Sequence, residues 1–249
     1  PAAPTTPWND SGHRIVSLLA WTRLEPAAQR EVERLLRAHP RFAEDLQAGL
    51  PRDAAPALAV RHAFALAANW PDTVRSLTHP MHRVANRPTW HYIDLSFAID
   101  GIAVPPKVSS TSPDPDDIVA AIAWNRARLA DRDLRAADRA IALCWVVHLV
   151  EDLHQPLHAC SLRSATFPDG DAGGNRFLVT RSPYDRHSVT NLHALWDSLL
   201  GEYRSPTWEA CLVTGLASLP EFAPSVLAEA VVVRDPAAWA KESHDLAVR

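Results

Sequence analysis

The apolar run Ile141-Ala-Leu-Cys-Trp-Val-Val-His-Leu-Val-Glu-Asp152 carries a histidine and a carboxylate, His148 and Asp152, at a spacing of four. That spacing puts both side chains on the same face of a helix. The run is apolar nearly all round, so the helix is expected to be buried. Burying an ionised carboxylate costs roughly several kcal/mol unless it is paired or bound to a metal. No Lys or Arg lies between Arg139 and Arg163, so no local partner is at hand. A second pair, His193 and Asp197 in Asn191-Leu-His-Ala-Leu-Trp-Asp197, repeats the arrangement, and His158 follows closely on the first pair. Together these residues read as a metal site.

The 249 residues, 47% of them hydrophobic, are enough for one large core or two small ones. No apolar run approaches the roughly 18 residues a spanning helix needs, so a soluble chain without a membrane partner is expected. Formal charge is −4, which excludes the basic footprint of an ordinary DNA-binding module. Three divalent cations would make that balance positive and concentrate the change at one spot, drawing an anionic substrate to the metals rather than to a Lys/Arg surface. Cys144, Cys160 and Cys211 make an odd count, so at least one has no partner within the chain. Cys144 reads as a core residue, and pairing of Cys160 with Cys211 is left open.

Helical signals dominate. Helices are expected from Ser11 through Leu24, over 27–38, 57–68, from Pro115-Asp116-Asp117 onward, over 133–152, 191–200, 207–219 and 221–233. The stretch 103–115 reads as a surface loop. Arg176-Phe-Leu-Val-Thr180 reads as one arm of a β-hairpin near 175–190. The expected architecture is all-α: one domain, 8–249, preceded by a loose leader, 1–7, with that small hairpin.

The candidate ligands, in chain order, are His13, Asp72, His91, His148, Asp152, His158, His193 and Asp197. All are imidazole or carboxylate, which suits catalytic zinc better than cysteine-rich structural zinc. Their contexts are specific words: Trp8-Asn-Asp-Ser-Gly-His13, Asn69-Trp-Pro-Asp72, Trp90-His-Tyr-Ile-Asp94, His148-Leu-Val-Glu-Asp-Leu-His-Gln-Pro-Leu-His158, Gly173-Gly-Asn175, Asn191 to Asp197, and Trp239-Ala-Lys-Glu-Ser243. In this order and covering nearly the whole chain, they resemble the S1/P1 nuclease family, relatives of zinc-dependent phospholipase C.

The resemblance implies up to three zinc ions in a cleft among helices. One would take Asp72, His91, His148 and Asp152. A second would take His158, His193 and Asp197. A third would take His13, Asp152 as a bridge and the backbone of Trp8. A close metal pair activates water near neutral pH, and a further metal can hold the departing oxygen. The resemblance gives Asp94 the role of orienting or deprotonating the attacking water, and Arg75 that of steadying charge on phosphorus. Read as bare sequence, a helix cap for Asp94 and a surface charge for Arg75 are the weaker alternatives. Tyr92 stands where relatives place an aromatic that stacks a base, and it reads equally as a packing residue. Asn175 joins it as a substrate-binding candidate. His154 reads as a supporting residue rather than a ligand. His39, His62, His79, His82, His187 and His244 read as ordinary.

Family members bind the third zinc through a terminal Trp amine, whereas Trp8 here follows Pro7 and offers only an amide nitrogen. Weaker occupancy of that third site is therefore expected. The chain also stops soon after Trp239 to Ser243, where relatives continue into further helices, so the expectation is either a shorter protein or missing C-terminal helices. The resemblance implies a phosphoesterase that cleaves single-stranded DNA or RNA to 5′-nucleotides, with 3′-nucleotidase activity and a secreted or periplasmic address. Two other readings stand beside it. A phospholipase C is disfavoured by Asp197 within its Asn-Leu-His word. A non-catalytic helical module stapled by zinc is disfavoured by Asp94 and Arg75, neither of which is needed to hold metal.

Overall fold

A computed structural model of the chain describes residues 10–99, 101–104, 114–182, 185–199 and 206–249. The expected leader, Trp8 and most of the expected loop over 103–115 lie outside them. The fold is all-α with two small two-stranded sheets.

Helix α1 (Asp10–Arg23) begins one residue before Ser11, which lies buried inside the first turn rather than at its cap. Pro26 opens α2 (Pro26–Arg37) at the position where its missing N–H costs nothing. Helix α3 (Pro56–Thr73) runs one turn beyond the expected Ala68 and carries Pro71 inside that turn. A proline there removes a ladder bond but does not end a helix whose face is already buried. Short α4 (His82–Ala85) precedes a 3-10 turn, Pro88–His91. Helix α5 (Ile118–Ala130) is capped by Asp117, whose carboxylate accepts from the Ala120 amide at 2.9 Å. Helix α6 (Ala136–Leu153) is the long buried helix. A 3-10 turn, Pro156–Ala159, follows it directly. Asn191 caps the short α7 (Leu192–Asp197), then come α8 (Pro206–Ser218) and α9 (Pro236–Val248).

Helix α6 is the axis of the molecule. It packs against α5 and α3, and more lightly against α1, α2 and α9. The main core, which includes Leu36, Phe64, Trp70, Trp90, Ile118, Ile122, Trp145, Leu149 and Leu153, surrounds it. A smaller cluster of Ile15, Leu18, Ala65 and Val213 joins α1, α3 and α8. The Ser243 hydroxyl donates to the Leu153 carbonyl at 2.6 Å, so α9 satisfies one of the open carbonyls at the end of α6.

The hairpin lies where the sequence places it, as β3 (Leu178–Ser182) and β4 (Asp185–Asn191). A second sheet was not anticipated. Strands β1 (Ser96–Ala98) and β2 (Ser161–Arg163) pair in parallel, with Ser96 opposite Ser161. Three-residue half-buried strands leave too short a pattern to read. The expected helix over 221–233 is not formed: two 3-10 turns, Pro220–Phe222 and Ala230–Val232, take its place. Pro224 forces Ala223 into extended backbone at ψ 140, and the β-branched run Val231 to Val233 is exposed, with no face to bury. Helix α9, not anticipated either, starts at an Asp235-Pro236 word in which the Asp235 carboxylate caps the Ala237 amide at 3.0 Å. Cys144 and Cys160 are buried and Cys211 is exposed, and all three are free thiols, which closes the question of a Cys160–Cys211 bridge. Among the described residues no helix is long and apolar enough to cross a membrane.

Candidate metal centre

The last two turns of α6 bring His148 and Asp152 to the middle of the fold, both with no solvent exposure. Other elements deliver the remaining side chains around them. His13 comes from α1, Asp72 from the last turn of α3, His91 from the 3-10 turn ahead of β1, and His158 from the turn after α6. His193 and Asp197 come from α7. The β1–β2 ladder fixes two of these arrivals relative to each other. The Ile93 amide donates to the His158 carbonyl at 2.8 Å, and the Ser161 amide to that of Leu95 at 3.3 Å.

All eight expected side-chain ligands converge. They form three groups whose donor atoms lie within 4.8 Å of one another: His13, His148 and Asp152; Asp72, His91 and His148; His158, His193 and Asp197. Asp152 is central. Its Oδ2 lies 3.0 Å from both His91 Nδ1 and His148 Nε2, and its Oδ1 lies 3.5 Å from His13 Nε2. His158 and His193 stack with ring centroids 4.8 Å apart. Trp8, the other expected ligand, is outside the described residues.

The imidazoles are aimed by bonds on their far sides. Nδ1–H of His148 donates to the Ala68 carbonyl at 2.7 Å, that of His158 to the His91 carbonyl at 2.8 Å, and that of His193 to the Gly173 carbonyl at 2.8 Å. A carbonyl only accepts, so each of these rings keeps its proton on Nδ1 and turns the Nε2 lone pair to the cluster. His13 Nδ1 pairs instead with Glu151 Oε2 at 2.6 Å. Gln155 does the same service for a carboxylate: its Nε2–H donates to Asp197 Oδ1 at 2.9 Å, while its Oε1 accepts from the Leu157 amide at 2.5 Å. Sequence reasoning missed Glu151 and Gln155. Both lie in the His148 to His158 word, and the only available signal was that they are polar residues inside a segment expected to be buried.

The donor set fits divalent cations. Nε2 of His13, Nε2 of His158, Oδ1 of Asp152 and Oδ2 of Asp197 are buried and meet no hydrogen-bond partner among the described residues. Each such atom costs about 1–3 kcal/mol when left alone, and these face a common space that a cation would satisfy. His91 Nδ1 and His148 Nε2 stand 2.9 Å apart. With one His148 proton committed to Ala68, the space between the two nitrogens takes either a proton or a metal ion.

Four of the ligand side chains, His13, His158, His193 and Asp197, resist charge on their own. Burial, with His193 and His91 adding to it, pushes His158 down to about 3. Burial likewise lowers His193 and takes His13 well below the usual imidazole range. Asp197 is pushed up to about 8 by burial and by the neighbouring carboxylates Asp152 and Asp72, against the hydrogen bond from Gln155. Asp152 goes the other way. Burial opposes its charge, but His148, His158 and His91 outweigh that and hold it well below the usual carboxylate range. Burial opposes charge on His148 too, but Asp152 and Asp72, with the bonds to Asp152 and to the Ala68 carbonyl, outweigh it and raise that ring to about 9. The neutral His13, His158 and His193 and the ionised Asp152 are already in the states that metal ligation uses, whereas ligation by His148 requires a metal to displace its Nε2 proton.

One face of the cluster opens into a cavity of about 220 Å³. Arg75, Tyr92, Asp94 and Asn175 line it with His91, His158 and His193, so the four expected non-ligand residues share one space with the ligands. Arg75 Nη1 lies 3.2 Å from Asp72 Oδ1. Tyr92 is 42% exposed, enough for its ring to meet a ligand. Asn175 anchors its Nδ2–H on the Ala172 carbonyl at 2.9 Å and leaves Oδ1 without a partner among the described residues. The cavity floor needs its glycines: Gly173 has φ +61, and a Cβ there would stand 2.3 Å from the Leu157 carbonyl oxygen. His154 is turned away. Its ring pairs with the Val150 carbonyl at 2.7 Å and lies 5.4 Å from the Trp239 ring.

A family model described as S1/P1 Nuclease matches residues 8–249. Over 61 residues, the chain is 44% identical to Nuclease S1 of Aspergillus oryzae, a match that covers 24% of this chain and 17% of that relative. The chain thus spans in that match about a sixth of the relative's length. With the profile covering all but its first seven residues, the chain belongs to the S1/P1 nuclease family.

Proposed function

We propose that the chain is a zinc-dependent phosphodiesterase that hydrolyses single-stranded DNA and RNA to 5′-nucleotides and releases phosphate from 3′-nucleotides. The observation that carries this reading is the convergence of eight imidazole and carboxylate ligands beside a cavity that also holds a guanidinium and a further carboxylate. The family is zinc-dependent in general, and an all-N/O donor set of this kind suits that ion in a catalytic role. Zinc held there supplies Lewis acidity toward a phosphoryl oxygen and toward water near neutral pH.

The chain's own residues divide the remaining work. The Asp94 carboxylate, on the cavity wall, orients the attacking water and accepts its proton. The water oxygen bonds to phosphorus as the P–O3′ bond breaks, and the electron pair leaves with O3′, which takes up a proton. The Arg75 guanidinium faces the phosphoryl oxygens and steadies the charge that builds on them. Tyr92 offers a ring face to a base, which suits single strands because every base has a π face. Asn175 Oδ1 offers an acceptor in the same space. A secreted or periplasmic address is part of this reading, with the family resemblance as its support.

Digestion of denatured DNA beside phosphatidylcholine vesicles tests the reading. Cleavage of the nucleic acid alone, stopped by chelator and restored by zinc, is the expected result. Cleavage of phosphatidylcholine alone would make the chain a phospholipase. Absence of turnover on both, with helical content that collapses on chelation, would make the metal a structural staple.

A further inference from the structure

A second hollow lies on the far side of the segment that carries His91. The 3-10 turn Pro88–His91 shows Pro88, His91 and Tyr92 to the catalytic cavity, while Arg87 and Trp90 line a groove of about 720 Å³ behind it. The other wall of that groove comes from α5 and the start of α6, through Trp124, Arg128, Arg135 and Asp138.

Its lining combines exposed aromatic surface with guanidinium groups. Trp124 is 41% exposed, although tryptophan is costly to leave in water. The Arg128 guanidinium lies 5.7 Å from the Trp124 ring centroid, and that of Arg87 lies 5.6 Å from the Trp90 ring. Both arginines are half-buried, and neither forms an ion pair with a carboxylate among the described residues; Arg87 donates only to the Asn86 carbonyl, at 2.9 Å. The acidic residue facing them is already engaged: Asp138 takes two bonds from Arg135, at 2.8 and 2.9 Å. Asp114 also lines the groove and has interactions of its own. Among the described residues Arg87 and Arg128, each beside a tryptophan, form no ion pair with a carboxylate and line one space, and Arg128 acts on Asp138 only through its charge.

We infer that this groove is an outlying subsite for single-stranded nucleic acid, taking a base on Trp124 and phosphates on Arg128 and Arg87 while the scissile phosphate occupies the metal cavity. The inference rests on the nuclease reading for the identity of its ligand and extends it: the chain grips a strand on both sides of the Pro88–His91 turn. Long strands are then held better than dinucleotides, for a reason independent of the metals.

Fluorescence anisotropy with labelled phosphorothioate strands, which resist hydrolysis, tests this on the metal-loaded protein. The probes are a dinucleotide and a strand of about ten nucleotides, a length typical of single-strand sites. Trp124→Ala should weaken binding of the long strand roughly 5- to 100-fold and leave the dinucleotide unchanged. Arg128→Ala should lower the slope of log affinity against log salt by about 0.7 for the long strand alone. Long-strand binding unchanged in both variants overturns the subsite, as does equal weakening of both probes, which marks structural damage. The two readings fail separately. Wild-type hydrolysis of a natural dinucleotide with intact long-strand binding by Trp124→Ala removes the groove and keeps the enzyme. Absence of hydrolysis with binding lost in Trp124→Ala does the reverse.

Discussion

Glu151 reaches across from α6 to within 2.6 Å of His13 Nδ1 in α1, and its chain neighbour Asp152 lies 3.5 Å from the other nitrogen of the same ring. Two adjacent residues of one helix thus grip one imidazole from both ends. Burial and the Asp152 charge hold the Glu151 carboxyl well above its ordinary range, so this contact does not rely on a full negative charge.

Glu151→Ala should therefore loosen His13 without touching a ligand. Loss of an orienting partner of this kind typically costs about 10- to 100-fold in metal affinity. Elemental analysis after dialysis against a graded chelator should show less metal retained than in wild type, with Glu151→Gln in between. Retention equal to wild type in Glu151→Ala would mean that the contact does not aim the ring.

Arg75 and Asp152 should separate chemistry from metal binding. Arg75→Ala is expected to lower turnover roughly 10²–10³-fold at unchanged zinc content, the size associated with a lost transition-state charge donor. Asp152→Asn should lose both metal and activity, because its two oxygens face two of the ligand groups. Steady-state kinetics on a dinucleotide, paired with zinc quantification on the same samples, reads both. Full activity in Arg75→Ala would remove it from the mechanism.

The glycine floor gives a stability comparison. Gly173→Ala meets the Leu157 carbonyl at 2.3 Å in a left-handed backbone, whereas Gly101, at φ +71, has nothing within 4 Å of an added Cβ. Gly101→Ala should cost only the backbone strain, about 1 kcal/mol. Gly173→Ala should cost more than about 3 kcal/mol and displace the carbonyl that holds His193. Thermal melts of the two variants should rank in that order, and equal melting temperatures would show that the floor has room to move.

His39 should make the fold acid-sensitive away from the metals. Its ring packs edge-on against Trp70 at 4.8 Å, and its Nδ1 accepts from the Arg41 amide at 3.3 Å, which requires the neutral form. Burial lowers it to about 4; Asp45 opposes this, and Arg41 and His79 add to it. A folded pKa below the unfolded value means that stability is complete above about pH 6.5 and is lost as pH falls toward about 4, up to about 3 kcal/mol in all. Denaturant melts of wild type and His39→Asn across that window should converge as pH falls. A constant gap between the two curves would show that His39 does not titrate with folding.

The i, i+4 pairs were legible because a carboxylate on an apolar helix needs a counter-charge and the neighbouring sequence offers no Lys or Arg; His148, Asp152, His193 and Asp197 all converge as expected. Asp72, His91 and His13 depended on the words around them, since nothing in local periodicity distinguishes His91 from His82. The supports were less readable. Glu151 and Gln155 act through distances set by tertiary docking, with partners 138 and 42 residues away. The failed helix over 221–233 shows the other limit: helical composition without a face to bury does not fold as a helix when Pro224 interrupts it. The β1–β2 ladder escaped notice because its partners are far apart in sequence and each strand is only three residues long.

The carbonyls of Ala68, His91 and Gly173 belong to three separate pieces of chain, and each steers an imidazole that belongs to another. Aim in this centre is borrowed from neighbours. Slippage between α3, α6 and the loop beneath α7 would blur several rings at once, well before any of those helices unwound.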